Sequence, residues 1–251
     1  MDRKVLVTIL RHGETDHNKA GIIQGHLDTP LNAQGEAQAR HTAKWFKENR
    51  IKFGRAYSSD LSRARLTAQL IMAEQEGDVE LVQDERIRER FLGNLQGKRR
   101  GDPGTDRSTV EPADKLRARL FSFWDDLFPS ISPSSSTPQS TTTPTREDEE
   151  EPLQVLVASH GASIREFIQA LISERSEEYE VNDLPEGEEA MLRRGEKRIG
   201  NCARTCVEMT PTFNNGSKEV KWRGSLKLYA DDTHFVDSSR APSPRLNADI
   251  L

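Results

Sequence analysis

The chain has 251 residues, of which 34% are hydrophobic and 31% charged, with a formal net charge of −5. That length suits one α/β domain, and the mildly acidic balance excludes a general affinity for nucleic acid or other polyanions. No window approaches the roughly 18 uninterrupted apolar residues of a membrane helix, and the apolar run behind Arg3 and Lys4 is too short and strand-like for a signal peptide.

The first element is the run Val5-Leu6-Val7-Thr8-Ile9-Leu10, a short β-branched stretch that reads as a buried strand. It delivers Arg11-His12-Gly13-Glu14-Thr15 to its carboxyl end, where an open α/β sheet places its ligand. The tripeptide alone fits a polar loop as well as a phosphate site. After Gly21-Ile22-Ile23-Gln24-Gly25, Asn32 is the expected N-cap of a helix with Ala39, Ala43 and Phe46 at helical spacing. A short second strand over Phe53–Tyr57 runs into Ser58-Ser59-Asp60, whose side chains are expected to cap the next helix. There Leu61, Ala64, Ala68, Ile71 and Met72 form the buried stripe, with Arg63 in the first turn, where free amides favour anions.

A third strand is expected over Val79–Gln83. Glu85-Arg86-Ile87-Arg88-Glu89-Arg90 alternates charges without clean periodicity, and composition alone makes it a solvated loop. A helix over Pro112–Phe128 buries Leu116, Leu120, Phe123, Trp124 and Leu127. Residues 129–152 turn abruptly to Ser, Thr, Pro and acid, too poor in apolar surface to offset ordering entropy, and read as a disordered insertion. Leu153-Gln154-Val155-Leu156-Val157-Ala158 then repeats the opening pattern: a buried strand, Ser159-His160-Gly161-Ala162, and a helix bearing Ile164, Phe167, Ile168 and Leu171. Glu174–Gly200 is highly charged. Cys202–Thr210 and Glu219–Tyr229 read as strands paired through Asn214-Asn215-Gly216, and the tail 238–251 as frayed. One domain over 1–237 is expected.

Cys202 and Cys206 are the only cysteines. Four residues of straight strand, at about 3.3 Å each, would hold them too far apart to bridge. Two cysteines alone also make a poor metal site; a reducing, cytoplasmic setting is the simplest reading. His17, His26, His41 and His234 read as loop or surface residues.

If His12 and His160 meet over the sheet edge, a neutral imidazole fixed by a backbone carbonyl could attack phosphorus. Arg11, Arg63 and the second imidazole would surround the phosphoryl oxygens without a metal, and Asn18 would add a neutral donor. A carboxylic acid would protonate the leaving alkoxide, and spacing alone does not select which.

Arg11-His12-Gly13-Glu14-Thr15 with Asn18, Ser58-Ser59-Asp60-Leu61-Ser62-Arg63-Ala64, Arg88-Glu89-Arg90 and Ser159-His160-Gly161 resemble, in order and spacing, the signatures of the histidine phosphatase superfamily, the phosphoglycerate mutase-like fold. The resemblance implies a three-layer α/β domain with a mostly parallel central sheet flanked by helices. It makes His12 the phosphorylated nucleophile, Glu89 the proton donor and later base, and His160 the third catalytic residue. Arg11, Asn18, Arg63, Gln24, Gly25 and Gly161 become the substrate and phosphate contacts. No metal and no cofactor are implied, the partner is a small phosphorylated metabolite, and oligomeric state stays open.

Within the superfamily, Ile22-Ile23-Gln24-Gly25 and Arg86-Ile87-Arg88-Glu89-Arg90 are most similar to the fructose-2,6-bisphosphatase type. Thr109-Val110-Glu111-Pro112 departs from the Gly-Gly-Glu-Thr often found there, and Leu92 replaces an expected aromatic. A phosphoglycerate mutase or 2,3-bisphosphoglycerate phosphatase is the alternative, although the basic run Gly97-Lys98-Arg99-Arg100-Gly101 is brief for a mutase. A non-catalytic binding module on the same fold is the third reading.

Overall fold

The structure is a computed structural model and describes residues 3–102, 106–131, 151–181, 184–213 and 220–235. The bulk of the 129–152 insertion, the Asn214-Asn215-Gly216 turn and the 238–251 tail lie outside the described residues.

β1 (Val5–Arg11) pairs in parallel with β4 (Leu153–Ser159), in unbroken register from Val5 opposite Leu153 to Arg11 opposite Ser159. β2 (Phe53–Ser58) joins the other edge of β4, and β3 (Leu81–Gln83) joins β2, again in parallel. Antiparallel β6 (Arg204–Phe213) flanks β1 and carries β7 (Val220–Asp231), and β5 (Tyr179–Val181) closes the sheet alongside β7. Among the described residues the seven strands run β3-β2-β4-β1-β6-β7-β5.

Side chains on a strand alternate between faces, and β1 and β4 bury both. Val5, Val7, Ile9, Val155 and Val157 join one core cluster, which α4 (Ala113–Ile131) covers with Leu116, Phe123 and Trp124 and α5 (Gly161–Glu174) with Ile164, Phe167 and Leu171. Leu10, Leu156 and Ala158 point to the other cluster, filled by Ala43 and Phe46 of α2 (Ala33–Glu48) and Ala68 and Ile71 of α3 (Ser62–Met72). α2 and α3 thus cover one face and α4 and α5 the other. The chain therefore leaves two adjacent strands toward opposite faces, and the carboxyl ends of such strands are the usual place for a ligand crevice.

Several local expectations change. Asn32 does cap α2, accepting from the Gly35 N–H at 2.8 Å. Leu61, however, holds the N-cap position of α3 and makes no cap bond of its own, while the expected Ser59 accepts from the Leu61 N–H through its Oγ at 3.3 Å. Asp60 instead turns to Arg88, and Asp28, distant in sequence, accepts from the Ser62 N–H at 2.7 Å. α4 runs past Phe128 to Ile131 with Pro129 inside it, the buried Leu127 and Phe128 carrying it beyond the expected break. α1 (Asp16–Ala20) and α6 (Glu188–Arg193) add short helices that periodicity is too brief to show. Cys202 precedes β6 at φ 54 rather than on a straight strand, and both cysteines are thiols rather than halves of a disulfide. Among the described residues, no helix is long and apolar enough to cross a membrane.

Candidate active site

Because β1 and β4 are in register to their last residues, the next residue on each, His12 and His160, emerge side by side. The His12 N–H continues the ladder onto the Ser159 carbonyl at 3.0 Å. The two imidazole centroids are 5.2 Å apart with planes inclined by 59°, and both residues are fully buried.

His12 Nδ1 lies 2.7 Å from the Gly13 carbonyl. A carbonyl only accepts, so Nδ1 carries the proton and the lone pair of the neutral ring sits on Nε2. The loop is pinned by main-chain contacts on three sides. The Gly13 N–H donates to Thr67 Oγ1 at 3.0 Å, and the His12 carbonyl accepts from Asn201 Nδ2 at 3.0 Å. A Cβ at Gly13 would fall 2.5 Å from the Gly35 carbonyl oxygen, so only glycine lets α2 approach this closely.

The cations are held in turn. Arg11, the last residue of β1, donates from Nη1 to the Ile199 carbonyl at 2.8 Å, and the missing Cβ of Gly161 leaves room for its side chain. Arg63, in the first turn of α3, donates to the Leu27 and Gly25 carbonyls at 2.7 and 2.8 Å. Its own carbonyl accepts from Thr67 Oγ1 at 2.7 Å, so Thr67 ties Arg63 to the His12 loop. Asn18 forms a capping box with Thr15 and contacts Asn201 at 3.4 Å. Gln24 Oε1 accepts from the hydroxyls of Thr15 and Thr29.

Glu89 is the carboxylate that composition placed in solvent; it is instead fully buried. Its oxygens accept from the N–H groups of Ala162 and Ser163 at 3.1 and 3.0 Å and from Ser163 Oγ at 3.0 Å. It therefore sits on the N-terminus of α5, where helix-end amides and the positive end of the helix dipole favour negative charge, two residues from His160. A short 3₁₀ turn over Glu85–Ile87 buries Ile87 and swings the following backbone inward. Arg86 and Arg88 remain at the rim and pair with Asp84 and Asp60. The charge alternation thus divides between surface ion pairs and an inward carboxylate.

All nine expected residues gather in this crevice region through these links. Sequence reasoning missed Asn201, Ser163 and Arg119 among the residues that hold them, and gave Thr67 and Glu111 no such part. Arg119 of α4 donates to the carbonyls of Arg86, Arg88 and Glu89 at 2.7, 2.8 and 2.8 Å and pairs with Glu111. The signal for Ser163 was its place at the third residue of a helix beginning at Gly161. Asn201 had none. Of the other histidines, His234 is 4% exposed, its Nε2 3.0 Å from Thr42 Oγ1 on α2. His26 is half-buried against the Glu89 backbone. His26 keeps the loop reading, whereas His234 departs from the surface reading because α2, remote in sequence, packs over it.

The departures at Leu92 and Val110 are also explained by packing. Leu92 is buried with Ile23 and Leu95, and Val110 packs on that cluster. The retained Glu111 braces Arg119. Among the described residues no group of three or more His, Cys, Asp or Glu could hold a metal ion.

Comparison with known proteins places the chain in a family. A profile of the histidine phosphatase superfamily (branch 1) matches residues 7–131. The 2,3-bisphosphoglycerate-dependent phosphoglycerate mutase of Bartonella henselae is 30% identical over 195 residues, 72% of this chain and 88% of that protein. Fructose-2,6-bisphosphatase TIGAR of Xenopus tropicalis is 34% identical over 136 residues, 48% of this chain and 49% of that protein. Several other curated relatives match over 39% to 53% of their own length, so this chain spans about half of them. In structure, the mycobacterial glucosyl-3-phosphoglycerate phosphatase superposes with a TM-score of 0.61 at 24% identity, covering 91% of this chain and 99% of that one. With its paired strand ends, its two buried imidazoles and this likeness over most of a mutase's length, the chain belongs to the histidine phosphatase superfamily.

Proposed function

We propose that the chain hydrolyses phosphomonoesters of small metabolites through a phosphohistidine on His12. The observation that carries the reading is the meeting of the His12 and His160 rings at 5.2 Å, with His12 Nδ1 committed to a carbonyl and Glu89 seated on the adjoining helix end. In the first step Nε2 of His12 attacks phosphorus, the ester P–O bond breaks, and Glu89 gives its proton to the departing alkoxide. An arriving phosphate dianion favours that protonated form of Glu89 by like-charge repulsion. In the second step water attacks phosphorus, the N–P bond breaks, and Glu89 takes a proton from the water. His12 returns as the neutral ring with phosphate released. Arg11, Arg63 and His160 neutralise the phosphoryl oxygens, and Asn18, Gln24, Gly25 and Gly161 shape the pocket. Preorganised positive charge is the main requirement of such a transfer, and these side chains supply it.

Fructose 2,6-bisphosphate is the leading substrate, on the likeness of the Ile22–Gly25 and Arg86–Arg90 segments to the TIGAR type. The likeness to the Bartonella enzyme over 88% of its length keeps phosphoglycerate mutase as the second reading. In its favour, Lys98 and Arg100 are bonded through their backbones to Ile23 and Gly21 beside the pocket; against it, the basic run is short. Two reduced thiols fit a reducing, cytoplasmic setting.

The test is a panel of sugar and glycerate phosphates assayed with and without chelator, scoring hydrolysis against isomerisation of 3-phosphoglycerate. Expected is chelator-insensitive release of phosphate, reduced by Glu89→Gln roughly 10²–10⁴-fold, the usual range for a general acid–base. Loss of activity to chelator with recovery on adding a divalent ion would contradict the mechanism, and isomerisation outpacing hydrolysis would establish the mutase.

A further inference from the structure

The main-chain carbonyl of Glu89 is a meeting point for two distant parts of the chain. His26 Nε2 lies 2.7 Å from it and Arg119 Nη2 2.8 Å. A carbonyl oxygen has two lone pairs, and each has a donor here. Arg119 reaches in from α4 and is braced by Glu111 through bonds of 2.8 and 2.9 Å. His26 comes from the loop that cradles Arg63: the residues on either side of it, Gly25 and Leu27, supply the carbonyls that hold that guanidinium. The His26 N–H is itself fixed by Gln96 Oε1 at 2.7 Å, and its ring stands edge-on to Phe91 at 5.3 Å. Since the Glu89 oxygen only accepts, Nε2 must bear a proton. Burial, the largest influence on the ring, holds His26 below the ordinary imidazole range, so the neutral ring with hydrogen on Nε2 is the form that makes this contact.

We infer that His26 is a positioning residue that registers the proton donor Glu89 against the phosphate clamp Arg63. The inference rests on the catalytic reading above. One loop carries both the cradle of the cation and the donor to the backbone of the acid. The proton and the clamp therefore reach one phosphoryl group in a fixed relation, and a displacement of about 1 Å at such a group can cost roughly 10²-fold in rate. Arg119 stays on the same carbonyl when His26 is changed, so the Glu89 backbone keeps a partner and the fold is protected.

The experiment compares His26→Phe, which keeps the ring and its contact with Phe91 but cannot donate, with His26→Gln, which can. Rapid-quench measurement gives the rate of phosphoryl transfer to His12 from a sugar phosphate and from p-nitrophenyl phosphate. An alkoxide needs the proton of Glu89 to leave, whereas nitrophenolate departs without it. Expected for His26→Phe is a loss of roughly 10- to 100-fold with the sugar phosphate, a change under about threefold with the aryl ester, and little change in KM for either. His26→Gln should recover most of the loss. Equal losses on the two esters, or none on either, would overturn the positioning role while leaving the catalytic reading intact. A wild-type chain that never acquires acid-labile phosphate would overturn the catalytic reading and this inference with it. If His26→Phe loses its fold by circular dichroism, His26→Met carries the same comparison.

Discussion

The chain has two His-Gly junctions that look alike in sequence and are built differently. At His12 the strand gives way to a loop, and the imidazole is oriented by the carbonyl of its own neighbour. At His160 the strand passes directly into α5, with the imidazole at the N-cap position and no side-chain cap bond. The glycines differ as well: Gly13 admits the backbone of Gly35, whereas Gly161 makes room for the side chain of Arg11. The first junction fixes which nitrogen of the His12 ring keeps its lone pair. The second places an imidazole at a helix end that also holds Glu89. Identical dipeptides can therefore serve the two roles proposed for them, and the difference lies in whether the glycine opens a loop or a helix.

The largest test of that division is His12→Ala, which should lower turnover roughly 10⁴-fold or more and abolish acid-labile phosphate on the protein. His160→Ala should cost less, roughly 10²–10³-fold, the range for losing one electrostatic stabiliser, while acid-labile phosphate still forms slowly. Equal loss of phosphoenzyme in both variants would erase the distinction.

The glycines sharpen the comparison on stability. Gly13→Ala drives a methyl into backbone and should cost about 1–3 kcal/mol by urea denaturation, as overpacking does. Gly161→Ala meets Arg11 Nε at 3.2 Å, a flexible neighbour, so its effect should appear in KM for the phosphate ester more than in the denaturation midpoint.

The smallest effect concerns acid. Asp60 is held below the usual carboxylate range, first by its hydrogen bond from Arg88 and against the opposing effect of burial. A depressed folded value means that the pair stabilises the protein above the unfolded carboxyl range and loses that contribution as pH falls through the folded value. Arg88 adjoins Glu89, so the His160 side of the crevice should loosen in acid before the His12 side. Amide hydrogen exchange at residues 87–91 against residues 11–15, tracked down through the carboxylate range, checks the order. The pair is partly exposed, so the difference should be modest and should shrink with salt.

The parts of this architecture that could be read from residues alone are those written in local chemistry. β1 and β4 are runs of Val, Ile and Leu long enough to declare buried strands, and the cap of α2 is spelled by Asn32. Arg63 could be placed at a helix start because the apolar period after Leu61 is clean. Glu89 could be named only through family likeness. Its burial depends on the amides of Ala162 and Ser163, which lie more than seventy residues away in sequence and leave no trace in the Glu85–Arg90 pattern. α1 has five residues and β5 three; both are shorter than any period that could reveal them. His234 looked superficial because most of its cover, Thr42 and Trp45 of α2, is remote in sequence.

The grip on Arg63 has an evolutionary corollary. Main-chain oxygens are the same whichever side chain their residue carries, so the alphabet at position 27 can drift while the Arg63 guanidinium keeps its place. The path of the chain cannot drift so easily. Gly25 lies at φ +54, and a Cβ there would fall 2.3 Å from Gln96 Oε1. A library randomised at both positions should return many survivors at 27 and almost none but glycine at 25, a bottleneck created by curvature rather than by chemistry.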